Sequence, residues 1–273
     1  MTWARSLSRF GSGPHLRGGV FARPVWLAIL FIALVPITGV GEDAPDAKEI
    51  IRKMDLILRG ETSFGTYRMT IVDPDWQRTL ELKAWEKRQD KKTFIRILSP
   101  AKEEGIVSLK VEAEMWNWLP RVERIIKIPP SMMMQPWMGS DFTNDDVVKA
   151  SSVVADYSQT VLGEEVLEGY DTYKVELIPH PDAPVVWGRI LAWVVQVDSM
   201  PLRQEFYSER GKLIRVLEFS DIRDIRGRTV PTRWKMTPIA KAGRQTVMEV
   251  IDLEIDIEID DSIFSLRNLK RID

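Results

Sequence analysis

The chain has 273 residues, 44% of them hydrophobic and 29% charged, with a formal net charge of −2 and no cysteine. That composition is globular, and the missing thiols exclude disulfides, cysteine nucleophiles, iron–sulfur clusters, cysteine zinc sites and a lipid-modified N-terminal cysteine. Residues 1–41 hold four arginines and no acid, so the remainder carries −6. A mildly acidic domain gives no basic face for nucleic acid.

Residues 1–41 read as an export signal. A basic stretch ends at Arg23, and an apolar core follows over residues 24–38. Its length, about fifteen residues, falls short of the roughly twenty that span a bilayer as a helix. Gly39 and Gly41 stand where a signal peptidase prefers small residues, ahead of a cut before Glu42. A cleaved signal and a retained N-terminal anchor are the two alternatives, and both put the working domain, residues 42–273, outside the cytoplasm.

A helix is expected over residues 45–58. Ile50, Ile51, Met54, Ile57 and Leu58 recur at helical spacing, Asp43 and Asp46 lie near its start, and Gly60 ends it. After Gly60 the period changes from helical to two. Strand runs are expected at 67–71, 80–84, 94–98, 106–111, 115–119 and 122–128, each closed by Gly, Pro, Asp or Lys turns. Such a meander leaves no helix between strands for parallel crossovers.

Residues 129–142 interrupt it. They are too rich in proline for a regular element, and they hold Met132, Met133, Met134 and Met138 beside Trp137 and Phe142. Methionine is flexible and polarizable and suits surfaces that accept varied apolar partners. The alternative is an ordinary loop folded back on the core. A short helix over 141–151 follows, with Thr143 as its cap and Asp145 and Asp146 in its first turn.

Strands resume at 157–167, 170–179, 186–197, 202–209, 212–221, 229–237 and 244–259. The last is the most regular stretch of the chain. From Ile251 onward odd residues are Ile or Leu and even ones Asp or Glu, which makes one greasy and one acidic face and points to an antiparallel sheet. About a dozen strands with two or three short helices give one α+β domain.

Histidine and carboxylate chemistry is weakly supported. His180, between two prolines, is the one histidine beyond the signal, and the adjacent pairs Asp145-Asp146 and Asp260-Asp261 point in different directions and suit caps or solvated faces. Catalysis, a metal and a cofactor are not expected. Tryptophans on strands, Trp116, Trp118, Trp193 and Trp234, are candidates either for core or for a cavity wall; Trp116 and Trp118 must share a face.

Several segments together resemble a known family. They are Leu119-Pro120-Arg121 with Ile128-Pro129-Pro130, the run from Met138 through Gly139, Ser140, Asp141, Phe142, Thr143, Asn144 and Asp145 to Asp146, Pro201-Leu202-Arg203 with Tyr207 and Gly211-Lys212, Val230-Pro231, and Asp261-Ser262-Ile263-Phe264. Over about residues 45–270 the chain is similar to the LolA/LolB-type lipoprotein-carrier superfamily, and within it to periplasmic outer-membrane lipoprotein-sorting proteins. The resemblance implies a single curved antiparallel sheet, an incomplete β-barrel of about 11 strands, closed by short helices and a loop lid. It further implies a periplasmic, non-catalytic and monomeric carrier of lipids or lipoprotein acyl chains, with an inner-membrane transporter and an outer-membrane acceptor as partners. The other function it implies is a lipid-sensing module that regulates a membrane partner. The apolar cavity and lid are then expected from Met132, Met133, Met134, Trp137, Met138, Phe142, Trp116, Trp118, Trp193 and Trp234. A dozen buried methylenes gain roughly 10 kcal/mol in such a cavity, but as much in a bilayer, so a carrier needs a lid whose opening is tied to handover.

Overall fold

Thirteen strands in one antiparallel sheet make up most of the computed structural model, which describes residues 45–148, 152–183 and 185–271. The export signal expected at residues 1–41, and the domain boundary after it, lie outside the described residues.

The first element is α1 (Ala47–Arg59). Asp46 caps it by accepting from the amides of Lys48 and Glu49, and Gly60 ends it with a φ of 63°. A Cβ at Gly60 would also meet the Ile255 side chain at 2.0 Å, so glycine is required there by both backbone and space. The apolar stripe Ile50, Ile51 and Met54 is buried against the sheet.

The strands are β1 (Thr62–Asp73), β2 (Trp76–Lys87), β3 (Lys92–Ser99), β4 (Val107–Val111), β5 (Glu114–Leu119) and β6 (Arg124–Ile128), then β7 (Tyr157–Leu167), β8 (Tyr170–Pro179), β9 (Arg189–Val195), β10 (Pro201–Tyr207), β11 (Leu213–Ile225), β12 (Arg228–Pro238) and β13 (Gln245–Ile255). Each run expected from the sequence corresponds to one of them, so the 11 strands implied by the family resemblance are too few. Their order is β6-β5-β4-β3-β2-β1-β13-β12-β11-β10-β9-β8-β7. The chain starts mid-sheet, meanders to the edge at β6, crosses to the far edge at β7 and meanders back until β13 pairs with β1. The sheet is a curved, unclosed barrel with its seam between β6 and β7, and residues 129–156 are the connection across that seam.

One face, the inner one, is covered by α1 and by the seam connection. Met69 and Ile71 of β1, Leu80 and Leu82 of β2, Ile95 and Ile97 of β3, Val175 and Leu177 of β8, and Leu217 and Phe219 of β11 fill it. The outer face is covered near β9 and β10, where Val195, Met200 and Leu202 form a small buried cluster with Leu167 and Ile222, and near β3–β5. There the C-terminal turns Asp261–Phe264 and Asn268–Lys270 bring Phe264 and Leu269 onto Phe94, Val107, Leu109 and Trp118.

The alternation after residue 250 needs one correction. Tyr67 pairs with Val250 and Thr66 with Asp252, so Ile251 is the extra residue of a β-bulge and is 50% exposed. Before the bulge even residues such as Met248 turn inward; after it Leu253 does, and the strand ends at Ile255. On the opposite face, Arg226 pairs with Asp252 and Glu254, and Arg228 with Asp256. The acidic stripe is a solvated face laced to the neighbouring hairpin.

Candidate functional site

The seam connection forms a lid, and its backbone is dictated by a few residues. The segment expected to lack regular structure contains two short 3-10 turns, Pro130–Met132 and Trp137–Gly139. Met138 and Gly139 both have positive φ, 51° and 75°, which reverses the chain. The buried Ser140 hydroxyl donates to the Trp137 carbonyl and accepts from the Phe142 amide. Thr143 then caps α2 (Asn144–Val148): its hydroxyl accepts from the Asp146 amide while the Asp146 carboxylate accepts from the Thr143 amide, a reciprocal capping box. The helix expected to reach Ser151 is described only to Val148.

Three arginines of the sheet region hold this lid down. Arg215 of β11 donates to both carboxylate oxygens of Asp146 at 2.6 and 2.7 Å and is sandwiched 4.4 Å from the rings of Trp187 and Phe206. Arg244 donates to Asp141 at 2.8 Å and to the Gly139 carbonyl at 2.6 Å, and Arg78 of β2 donates to the Met138 carbonyl. Burial works against the Asp146 charge, but the Arg215 guanidinium and the Thr143 hydrogen bonds outweigh it and hold the carboxyl below the usual range.

Beneath the lid lie two apolar cavities. One, of about 100 Å³, is bounded by Met54, Tyr157, Trp187, Phe206, Leu217 and Phe219, with Asp55, Asp145 and Gln204 also in its wall. The other, of about 80 Å³, is bounded by Tyr67, Leu82, Ala84, Ile95, Val147 and Met248. Arg59, Phe142, Asp146 and Trp234 line both and so separate them. Both are well below the roughly 300–1,000 Å³ of a small-molecule pocket.

The cavities give onto a charged rim. Arg59, at the end of α1, donates to Glu86 and lies 3.4 Å from Asp55; Arg88 reaches Asp55 at 2.7 Å. Burial draws the Arg59 guanidinium below its ordinary value and pushes the Tyr67 phenol up to about 12. Lys110 of β4, 3% exposed, is lowered to about 8, chiefly by burial and then by Arg59.

The expected site residues divide into three groups. Phe142 and Trp234 line both cavities. Trp137 is 2% exposed and plugs the lid, its indole donating to Ser108 at 3.0 Å; Met133 and Met138 pack against the main core, Met134 is half-buried, and Met132 is 44% exposed. Trp116, Trp118 and Trp193 lie on the outer face. Trp118 sits against Phe264 and Leu269 with Trp116 beside it, and Trp193 donates to Glu165 with Lys174 4.7 Å over its ring. Their packing is complete without the cavities. Arg59, Tyr67, Trp187, Phe206, Arg215 and Phe219 were not singled out from sequence. Phe206 and Phe219, which line a cavity, and Arg215, which holds Asp146, stand on strands whose inward phase is readable, but nothing local marks them for those places. Of the catalytic candidates, His180 is exposed and 3.4 Å from Ser158, Asp260 caps Ser262, and Asp261 pairs with Lys87 and Lys92.

A family model described as "-like: Uncharacterized protein" matches residues 89–271, two thirds of the chain. The chain belongs to that family. Among solved structures, it is similar to a DUF1329 family protein from Desulfovibrio piger, with a TM-score of 0.73 and 23% identity, covering 82% of this chain and 98% of that one. An outer membrane lipoprotein-sorting protein domain from Vibrio parahaemolyticus gives a TM-score of 0.71 at 23% identity, again over 82% and 98%. A LolA superfamily protein from Nitrosomonas europaea gives 0.70 at 24%, over 82% and 100%. The fold is LolA-like. No curated protein matches the chain. Among the described residues, no helix of this LolA-like chain is long and apolar enough to cross a membrane.

Proposed function

We propose that this LolA-like protein is a non-catalytic periplasmic carrier that binds lipids or the acyl chains of lipoproteins and moves them toward the outer membrane or along an export system. The observation that carries the reading is the pair of apolar cavities roofed by Phe142 on a lid held by Arg78, Arg215 and Arg244. The lid is also packed through Trp137, Phe142 and Val148, so opening it has to be coupled to a ligand or partner that takes over those contacts. The basic, apolar stretch of residues 1–41 supports export, and an inner-membrane donor and an outer-membrane acceptor follow from the carrier role.

A second reading is a lipid-sensing module that regulates a membrane partner. What favours it is the edge strand β6 with the 3-10 turn Pro120–Val122 before it, where Ile125 and Ile126 of the strand and Val122 of the turn are exposed beside Arg121 and Arg124, a surface suited to a protein neighbour. Transfer separates the two. Labelled lipid should pass between two vesicle populations faster in the presence of the protein, and a variant with Phe142→Asp should lose this. Retention of a lipid without any acceleration of transfer would favour the sensor, and failure to bind apolar ligand at all would remove both.

A further inference from the structure

Three hollows meet at one side chain. Arg59 lines both apolar cavities and also a larger polar groove of about 830 Å³, and among the described residues it is the one common to all three. Phe142, Asp146 and Trp234 are shared by the two apolar cavities, and each cavity also shares lining with the groove, one through Asp55 and the other through Glu86 and Thr93. The Nη atoms of Arg59 are committed to Asp55 and Glu86, while its buried Nε–H has no partner, a state it shares with Arg78 and Arg215, neither of which lines a cavity or the groove. A buried donor of that kind is unusual and calls for an acceptor. The groove carries both signs of charge in close alternation, with Arg88, Lys91 and Lys92 beside Glu61, Asp90 and Glu112.

We propose that the ligand is a two-chain amphiphile with a dipolar head, such as a zwitterionic phospholipid. This rests on the carrier reading and narrows it. Each apolar limb takes one chain once Phe142 swings aside, the oxygens of the linking region accept from Arg59 Nε, and the head lies in the groove. A single chain fills one limb and leaves the other. A head of net charge meets like charges in the groove whichever sign it carries, whereas a head with both signs can place each opposite its complement.

The test uses the full chain loaded with the uncharged fluorophore N-phenyl-1-naphthylamine. Three lipids of one short acyl length compete for it: a diacyl phosphocholine, its single-chain lyso form and a diacyl phosphoglycerol. The diacyl phosphocholine should displace the dye at concentrations about tenfold lower than either of the others. In a variant with Arg59→Gln and Glu86→Gln, which leaves Asp55 its partner Arg88, that ratio should fall toward one. Equal displacement by the lyso lipid or by the phosphoglycerol overturns the proposal, and the wild-type series gives that answer even if the variant does not fold. Dye binding without discrimination overturns this proposal alone; absence of dye binding overturns the carrier reading and this one with it.

Discussion

Arg215 and Asp146, 69 residues apart in the chain, form a two-pronged ion pair at 2.6 and 2.7 Å with the guanidinium only 4% exposed. The pair joins β11 to the lid helix, and its Asp146 member lines both cavities. Removing one member strands a charge in an apolar setting. Arg215→Met should therefore cost about 3–5 kcal/mol in urea unfolding, while the double change with Asp146→Leu should recover most of it, because an apolar pair of similar volume can replace a buried ion pair. A loss in the double variant equal to the sum of the losses in Arg215→Met and Asp146→Leu alone would mean that the pair is not coupled.

The same carboxyl sets an acid limit. Its value in the fold lies below the unfolded one, so its contribution is complete above the unfolded value of about 3.9 and fades as pH falls through the folded value. Thermal midpoints of wild type and Asp146→Asn should therefore differ by a constant amount from neutral pH to about pH 4 and converge below it. A gap that closed at pH 6 would put another group in charge of the lid.

How much of this was legible beforehand depends on contrast between faces. The strands were readable because most alternate apolar with polar residues, and α1 because Asp46 and Gly60 bracket its stripe. Trp116 and Trp118 were not placeable, since β4 and β5 are covered on both sides. In β4 the polar Ser108 and Lys110 face inward and Val107 and Leu109 face the C-terminal turns, the reverse of the usual order. Ile251 was misplaced because a bulge shifts phase without any local signature. Arg59 and Arg215 were invisible as site residues, since each owes its burial to partners far away in sequence.

Opposite faces make the tryptophans separable by experiment. Trp118→Ala should cost about 3–5 kcal/mol by opening a hole under Phe264 and Leu269, with unchanged affinity for an apolar dye in the molecules that remain folded. Trp234→Ala removes the wall between the two cavities and should change that affinity several-fold. Dye binding that responded to Trp118 and not to Trp234 would move the site to the outer face.

Lys110 offers a test in the alkaline range. Burial, reinforced by Arg59 and partly offset by Asp145, lowers its ammonium to about 8, whereas an unfolded lysine titrates near 10.4. Between those values the unfolded chain binds the extra proton, so this group's effect on stability improves as pH rises from about 8 to about 10.4 and is a constant penalty below that window. Lys110→Met should consequently stabilise the protein at pH 7, by up to about 3 kcal/mol at 1.36 per unit of displacement, and the gain over wild type should shrink as the medium becomes alkaline. The direct check is the Nζ resonance of Lys110 followed by NMR, with a midpoint near 8. A midpoint at the ordinary lysine value, together with no gain from methionine, would mean that water reaches the rim of the cavities far more freely than its packing implies.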